Sequence, residues 1–261
     1  EALLLSLFSQ AEREATMLPV KTPLDATLGC ASLQLVLPTA DDCNTVAQQL
    51  QQILQDLLPI VGRINLNYDS AVLSSPSKRN GLLQPSPLQL PRGSMLIIVD
   101  NRLGNDVPPS PASQASAEAL TSLTKNHVVS YSFDGGMRFD FEADYRVLVL
   151  STMQQQQQQQ ERLPCTLTML LPSSFHASAT TTTTSRQPPL PATPQLRAAL
   201  CRKTSNVALP RDSVLEVAQQ DFVARRQLSR TTGDTVVEAD DFHRWLTVTR
   251  LEARRQGRSA E

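Results

Sequence analysis

The 261-residue chain is short of glycine, with 9, and of aromatic residues, at 4%. So few glycines leave little material for turns that press backbone amides against phosphate, and no stretch matches GxxxxGK[ST]. The four cysteines, at 30, 43, 165 and 201, form no CxxC pair and have no His at finger spacing. A zinc finger and the disulfide framework of a small secreted domain are therefore not expected, and four reduced thiols in an intracellular protein are. No apolar run approaches the ~20 residues of a membrane span, and no signal-peptide pattern is present. Charge of one sign is missing too: 24 Lys and Arg stand against 25 Asp and Glu. With no net field, the chain has no general pull on nucleic acid.

What is present fits a folded protein of one large or two modest domains, with 40% hydrophobic and 19% charged residues. The 18 prolines cluster in linkers. The chain opens at Glu1, without Met, inside the apolar segment Ala2 to Phe8, which reads as a fragment or an incomplete gene model. Leu3, Leu4, Leu7 and Phe8 fit one face of a helix. Residues 28–37 read as a strand stopped at Pro38, and Asp41, Asp42 or Asn44 can cap the helix that follows. Val46, Leu50, Ile53, Leu54 and Leu57 recur at helical spacing before Pro59, and residues 60–68 form a second strand. Strand, helix and strand in so short a span predict an α/β layer.

One run then stands out: Met95-Leu96-Ile97-Ile98-Val99-Asp100, a buried strand delivering an acid at its end. Many nucleotide hydrolases hold Mg²⁺ in this way, but a hydrolase needs the phosphate loop as well. It would also place a Glu next to polarise water, where this chain has Asn101. Asp100 is therefore read as turning or capping the chain at the strand's end. Residues 104–117 are expected to be a surface loop and residues 117–124 a short helix. Val128 to Phe133 and Arg138 to Phe141 alternate around Gly135-Gly136 as a hairpin, and Tyr145 to Leu150 is another buried strand.

Composition shifts after Met153. Gln154 to Gln160 is an unbroken glutamine tract, and Thr180 to Thr184 leads into a proline-rich stretch, with a strand-like segment at 163–171 between them. Such tracts cannot supply a core face and read as exposed insertions. The last block is helical. Ser213 with Glu216 forms a capping box, and a second helix starts near Glu238. Phe242, Trp245, Leu246 and Thr249, with Val248 beside them, define the inner face of that second helix; Arg244, Arg250, Arg254, Arg255 and Arg258 load its outer face and tail. The expected boundaries are an α/β core over 1–152, low-complexity insertions over 153–204 and a helical region over 205–261.

Several of these segments resemble the minichromosome maintenance (MCM)-binding protein family. They are Gly81-Leu82-Leu83-Gln84, then Leu90-Pro91-Arg92-Gly93-Ser94 running into the strand that ends at Asp100, and the hairpin pair Tyr131-Ser132-Phe133 and Met137-Arg138-Phe139. The most specific are Asp221-Phe222-Val223-Ala224-Arg225-Arg226 and the block from Ala239-Asp240-Asp241-Phe242-His243 to Arg250. The match departs at Asn101-Arg102, where the family has Glu-Thr, and at Pro85 to Leu88, which splits a motif. The resemblance implies the C-terminal half of such a protein, with a degenerate AAA+-like α/β core and a helical lid. It further implies a non-catalytic, nuclear protein that binds MCM helicase subunits in DNA replication. Assembly, unloading or chaperoning of the MCM complex, sister-chromatid cohesion and an indirect association with chromatin belong to the same implication.

No catalytic residue, cofactor or metal is expected. His243 follows Asp240-Asp241 at a helix start, where capping accounts for the acids, and His127 and His176 are isolated. Asp221, Arg225, Asp240, Asp241 and Arg250 are the candidate partner-binding residues. Two other functions are weighed against the interaction protein. An active AAA+ ATPase would need its phosphate loop upstream. A nucleic-acid-binding module would use the C-terminal arginines, although no aromatic residues interleave with them.

Overall fold

The computed structural model describes residues 6–7, 31–66, 73, 77–79, 82–100, 111–132, 137–153, 163–171, 194, 200, 212–232 and 237–256. Two compact units divide the chain: Ala31–Cys201 is one, and Leu3–Cys30 with Arg202–Glu261 the other.

The first unit is built on a five-stranded sheet whose neighbouring strands all run parallel. Its strands are β1 (Ser32–Leu37), β2 (Val61–Leu66), β5 (Met95–Asp100), β8 (Arg146–Thr152) and β9 (Leu167–Leu170), in the order β2-β5-β8-β1-β9. Every residue of β1, β5 and β8 is buried, as continuous apolar strands covered on both faces require. The expected α/β class is borne out.

Two helices cover opposite faces, α1 (Ala40–Gln55) and α2 (Pro111–Asn126). Register assigns them. Arg63, Ile97 and Leu148 are aligned across β2, β5 and β8, and the Arg63 guanidinium donates to the Asn44 side chain of α1 at 2.8 Å. Their neighbours one residue on point the other way. On that second face Ile64, Ile98 and Val149 share one apolar cluster with Ala119, Leu120 and Leu123 of α2. There the Ser32 hydroxyl donates to the Thr124 carbonyl at 2.8 Å. Right-handed crossovers give the same answer, because β1 to β2 runs toward one edge of the sheet and β5 to β8 toward the other.

Two small antiparallel hairpins complete this unit. One pairs β3 (Ser77–Arg79) with β4 (Leu82–Gln84), inside the segment expected only to be rich in Ser, Pro and Gly. The other pairs β6 (Val128–Ser132) with β7 (Arg138–Glu142), which bears out the predicted hairpin; its Gly135-Gly136 turn lies outside the described residues. Gly93, at φ 78, makes the left-handed turn into β5, and its N–H donates to the Asp144 carbonyl at 3.0 Å.

Local expectations are corrected in three places. Helix α1 is capped by Thr39 rather than by Asp41, Asp42 or Asn44. Helix α2 starts at Pro111, so residues 111–117 are helical and not loop; Pro at the first position needs no N–H there and presets φ. In the second unit the first helix, α3 (Asp212–Thr232), already contains Ser213, which therefore does not precede it as a cap. The second helix, α4 (Ala239–Gln256), starts where expected. Of the N-terminal helical face only Ser6 and Leu7 are described, and both are buried. The Gln154 to Gln160 and Thr180 to Thr184 tracts, Asn101, His176, Cys30, Cys201 and Arg258 lie outside the described residues.

Candidate functional site

Open parallel sheets bind ligands beyond the carboxyl ends of their strands, where neighbouring connections leave in opposite directions. Here that point lies between β8 and β1. The chain leaves β1 toward the β2 edge and leaves β8 toward β9. Only Pro38 and Thr39 join β1 to α1. Proline stops the strand, and Thr39, at φ −130 and ψ 162, accepts the Asp42 N–H on its hydroxyl at 3.2 Å. The Cys43 N–H donates to the Thr39 carbonyl, also at 3.2 Å.

The first turn of α1 is thus closed on itself and carries Asp41 and Asp42. A helix start can hold an anion when its amides are free and its positive end is bare. This one has a side-chain cap and two carboxylates, so its field is already neutralised and repels phosphate. Beside it lie Asp100, 6% exposed, and Cys43, fully buried. Burial, then Asp42, then Asp100 push the Cys43 thiol up to about 12, so it is protonated near neutrality and is no nucleophile. Among the described residues no group of three His, Cys, Asp or Glu side chains is placed to hold a metal ion.

Deeper in the same strands runs a polar ladder that alternation in the sequence did not reveal. The Gln34 amide donates to the Ser151 hydroxyl at 2.8 Å and accepts from the Thr168 hydroxyl at 3.3 Å, tying β8, β1 and β9 together. The only signal for it was a Gln within an otherwise apolar strand. His127, noted as isolated, is buried and left-handed at φ 52. Its N–H donates to Leu123 at 3.1 Å and its carbonyl accepts from Ala143 at 2.7 Å, which closes the end of α2.

The candidate partner-binding residues lie in the helical unit, held by an aromatic cluster. Phe222 meets Phe242 at 5.0 Å between centroids and Trp245 edge-on at 6.3 Å, and the Arg225 guanidinium lies 5.2 Å over the Trp245 ring. Arg225 also pairs with Asp221 at 2.9 Å, one turn back on α3, so two of the five candidates meet on an exposed face. Asp241 has a local task. It accepts the Glu238 N–H at 3.0 Å, reaching back as the third residue of a capping box does, and pairs with Arg244 at 3.1 Å. Asp240 is exposed beside it; Arg250 lies on α4, and its side chain is outside the description.

The expected inner face of α4 needs correction. Thr249 is exposed and Trp245 is 36% exposed at the rim, whereas Thr247 and Leu251 are buried. An aromatic outscores a Leu near the helix end in any reading of pattern, but the far turn of α4 is the better covered one.

The family model for the mini-chromosome maintenance replisome factor matches residues 1–260. A search of the curated proteins finds no match.

Proposed function

The chain belongs to the mini-chromosome maintenance replisome factor family, an MCM-associated replication factor, and on that premise we propose that it is a non-catalytic protein that docks on MCM helicase subunits. Its α/β unit is an AAA+-like module without nucleotide chemistry, and binding is by shape and surface charge. In this reading the protein acts in the nucleus, in assembling, chaperoning or unloading MCM complexes, and in cohesion and on chromatin only through them.

The observation that carries the non-catalytic part is the strand-to-helix turn after β1. A phosphate there would meet Asp41 and Asp42 and an amide already taken by Thr39. The sheet order supports the AAA+-like part: the first of the five strands lies between the fourth and the fifth, and the third ends in the acid, Asp100. The AAA+-like reading calls for that order, and in it the phosphate loop would fall where Pro38 and Thr39 alone join β1 to α1. Fold alone does not carry function, so the docking surface has to be argued from the exposed polar groups of the helical unit.

Retention of MCM subunits by the immobilised chain tests the reading. Wild type is expected to retain at least one subunit. Asp221→Ala and Asp240→Ala are expected to weaken retention with thermal melting displaced by no more than the ~0.5 kcal/mol usual for exposed sites, and Arg225→Ala, which also loses its contact with Trp245, and Arg250→Ala are expected to weaken it as well. Failure of wild type to retain any subunit would remove this chain as the docking region.

A further inference from the structure

The outward side of α3 carries an apolar stripe that its own unit leaves uncovered. Val217 is 66% exposed and Leu228 63%, with exposed Ala224 on the line between them. Positions 217, 221, 224 and 228 alternate steps of four and three, the spacing of a coiled-coil seam. This is not the side that packs within the unit, because Phe222 rests on Phe242 and Trp245, and Ser229 is buried. At the centre of the stripe sits an acid, Asp221, paired with Arg225.

The four positions are symmetric about the midpoint between residues 222 and 223. Lay two copies of α3 antiparallel about that point, and Val217 of each meets Leu228 of the other. Asp221 of each then meets Ala224 of the other, whose small side chain leaves room for it. The Arg225 of the second copy comes within one residue, about 1.5 Å along the axis, of the level direct partnership with that acid requires. The charges are segregated in the same sense. Glu216 and Asp221 precede the midpoint, and Arg225, Arg226 and Arg230 follow it. An antiparallel pair sets the acidic half of each helix against the basic half of the other, while a parallel pair sets like against like.

We infer that α3 is a two-fold, antiparallel self-association surface, and that its occupant is a second copy of this chain. The inference goes beyond the MCM-docking reading but shares Asp221 and Arg225 with it, so Leu228, which is not among the docking residues, serves to tell the two apart. In the dimer the central acid and base of each copy pair across the seam, and Val217 and Leu228 close its two ends. A self-complementary patch of this kind closes after two copies and does not propagate.

Sedimentation equilibrium of the full chain from low to high micromolar concentration is the test. Wild type is expected to rise from the mass of one chain toward that of two. D221R carries only bases at the centre and R225D only acids, so each alone is expected to self-associate at least about tenfold more weakly, a loss of about 1.4 kcal/mol. An equimolar mixture of the two is expected to recover the dimer, because each then supplies what the other lacks. A wild type monomeric throughout overturns the inference. So do two variants that dimerise like wild type, and so does a mixture that stays monomeric although both variants are folded by circular dichroism. Should R225D unfold through loss of its Trp245 contact, L228E decides the matter: loss of the dimer supports the seam, and an unchanged dimer overturns it. Retention of MCM subunits by L228E, measured beside these, separates failure of the seam from failure of the docking reading.

Discussion

At Cys43 a thiol lies fully buried in the first turn of a helix whose acids make ionisation harder still. The unfolded thiol ionises near 9.0 and the folded one at about 12. Below 9 both states hold the proton, and the contribution to stability is whole. As pH rises from 9 toward 12 only the unfolded thiol loses its proton, so that contribution drains away. Burial raises Cys165 to about 12 in the same way. The urea midpoint is therefore expected to fall as pH passes above 9, and less steeply for Cys43→Ala; equal slopes for the two proteins would show that Cys43 is not the source. The sequence marked Cys43 as a thiol with no pairing pattern, and in the structure it is free and buried. Its burial against Asp100, more than fifty positions away, could not be read from spacing.

At the scale of the element, caps decide where helices begin. Thr39 closes α1 and Asp241 closes α4, each by accepting a backbone N–H near 3 Å. Asp241→Ala is expected to cost about 1 kcal/mol, the usual worth of such a cap, with little added by its exposed pair to Arg244. A urea midpoint unchanged from wild type would show that the cap contributes nothing. Legibility differed with the kind of signal. The strands Met95–Asp100 and Arg146–Thr152 were plain, because an unbroken apolar run has few alternatives. The start of α1 was placed correctly but given to the wrong residue, since Thr39, Asp41, Asp42 and Asn44 are all good caps and only backbone geometry selects one. The first turns of α2, Pro-Ala-Ser-Gln-Ala-Ser, looked like loop because their small polar residues carry no apolar period. What makes them helical lies further on, in the cluster formed by Ala119, Leu120 and Leu123.

For the whole molecule, the proposed loss of nucleotide chemistry has a direct thermodynamic consequence. A ligand at a hundred times its Kd adds about 2.7 kcal/mol to stability, which moves the melting point of a domain this size by several degrees. Millimolar Mg-ATP is expected to leave the melting temperature where it is. A rise of several degrees, abolished by Asp100→Ala, would instead make the carboxyl edge of the sheet a nucleotide site.

Sequence by itself determined the α/β class, the buried strands, the β6–β7 hairpin and the helical character of the segments that form α3 and α4. Each of these depends on residues close together, where apolar period, proline or turn chemistry acts directly. Tertiary structure decided the rest. It set the strand order that puts β1 between β8 and β9, and it assigned α1 and α2 to opposite faces. It brought Asp100 to Cys43, stacked Arg225 on Trp245, and left Val217 and Leu228 in solvent. Those outcomes rest on which distant surfaces bury one another, and no local pattern encodes that choice.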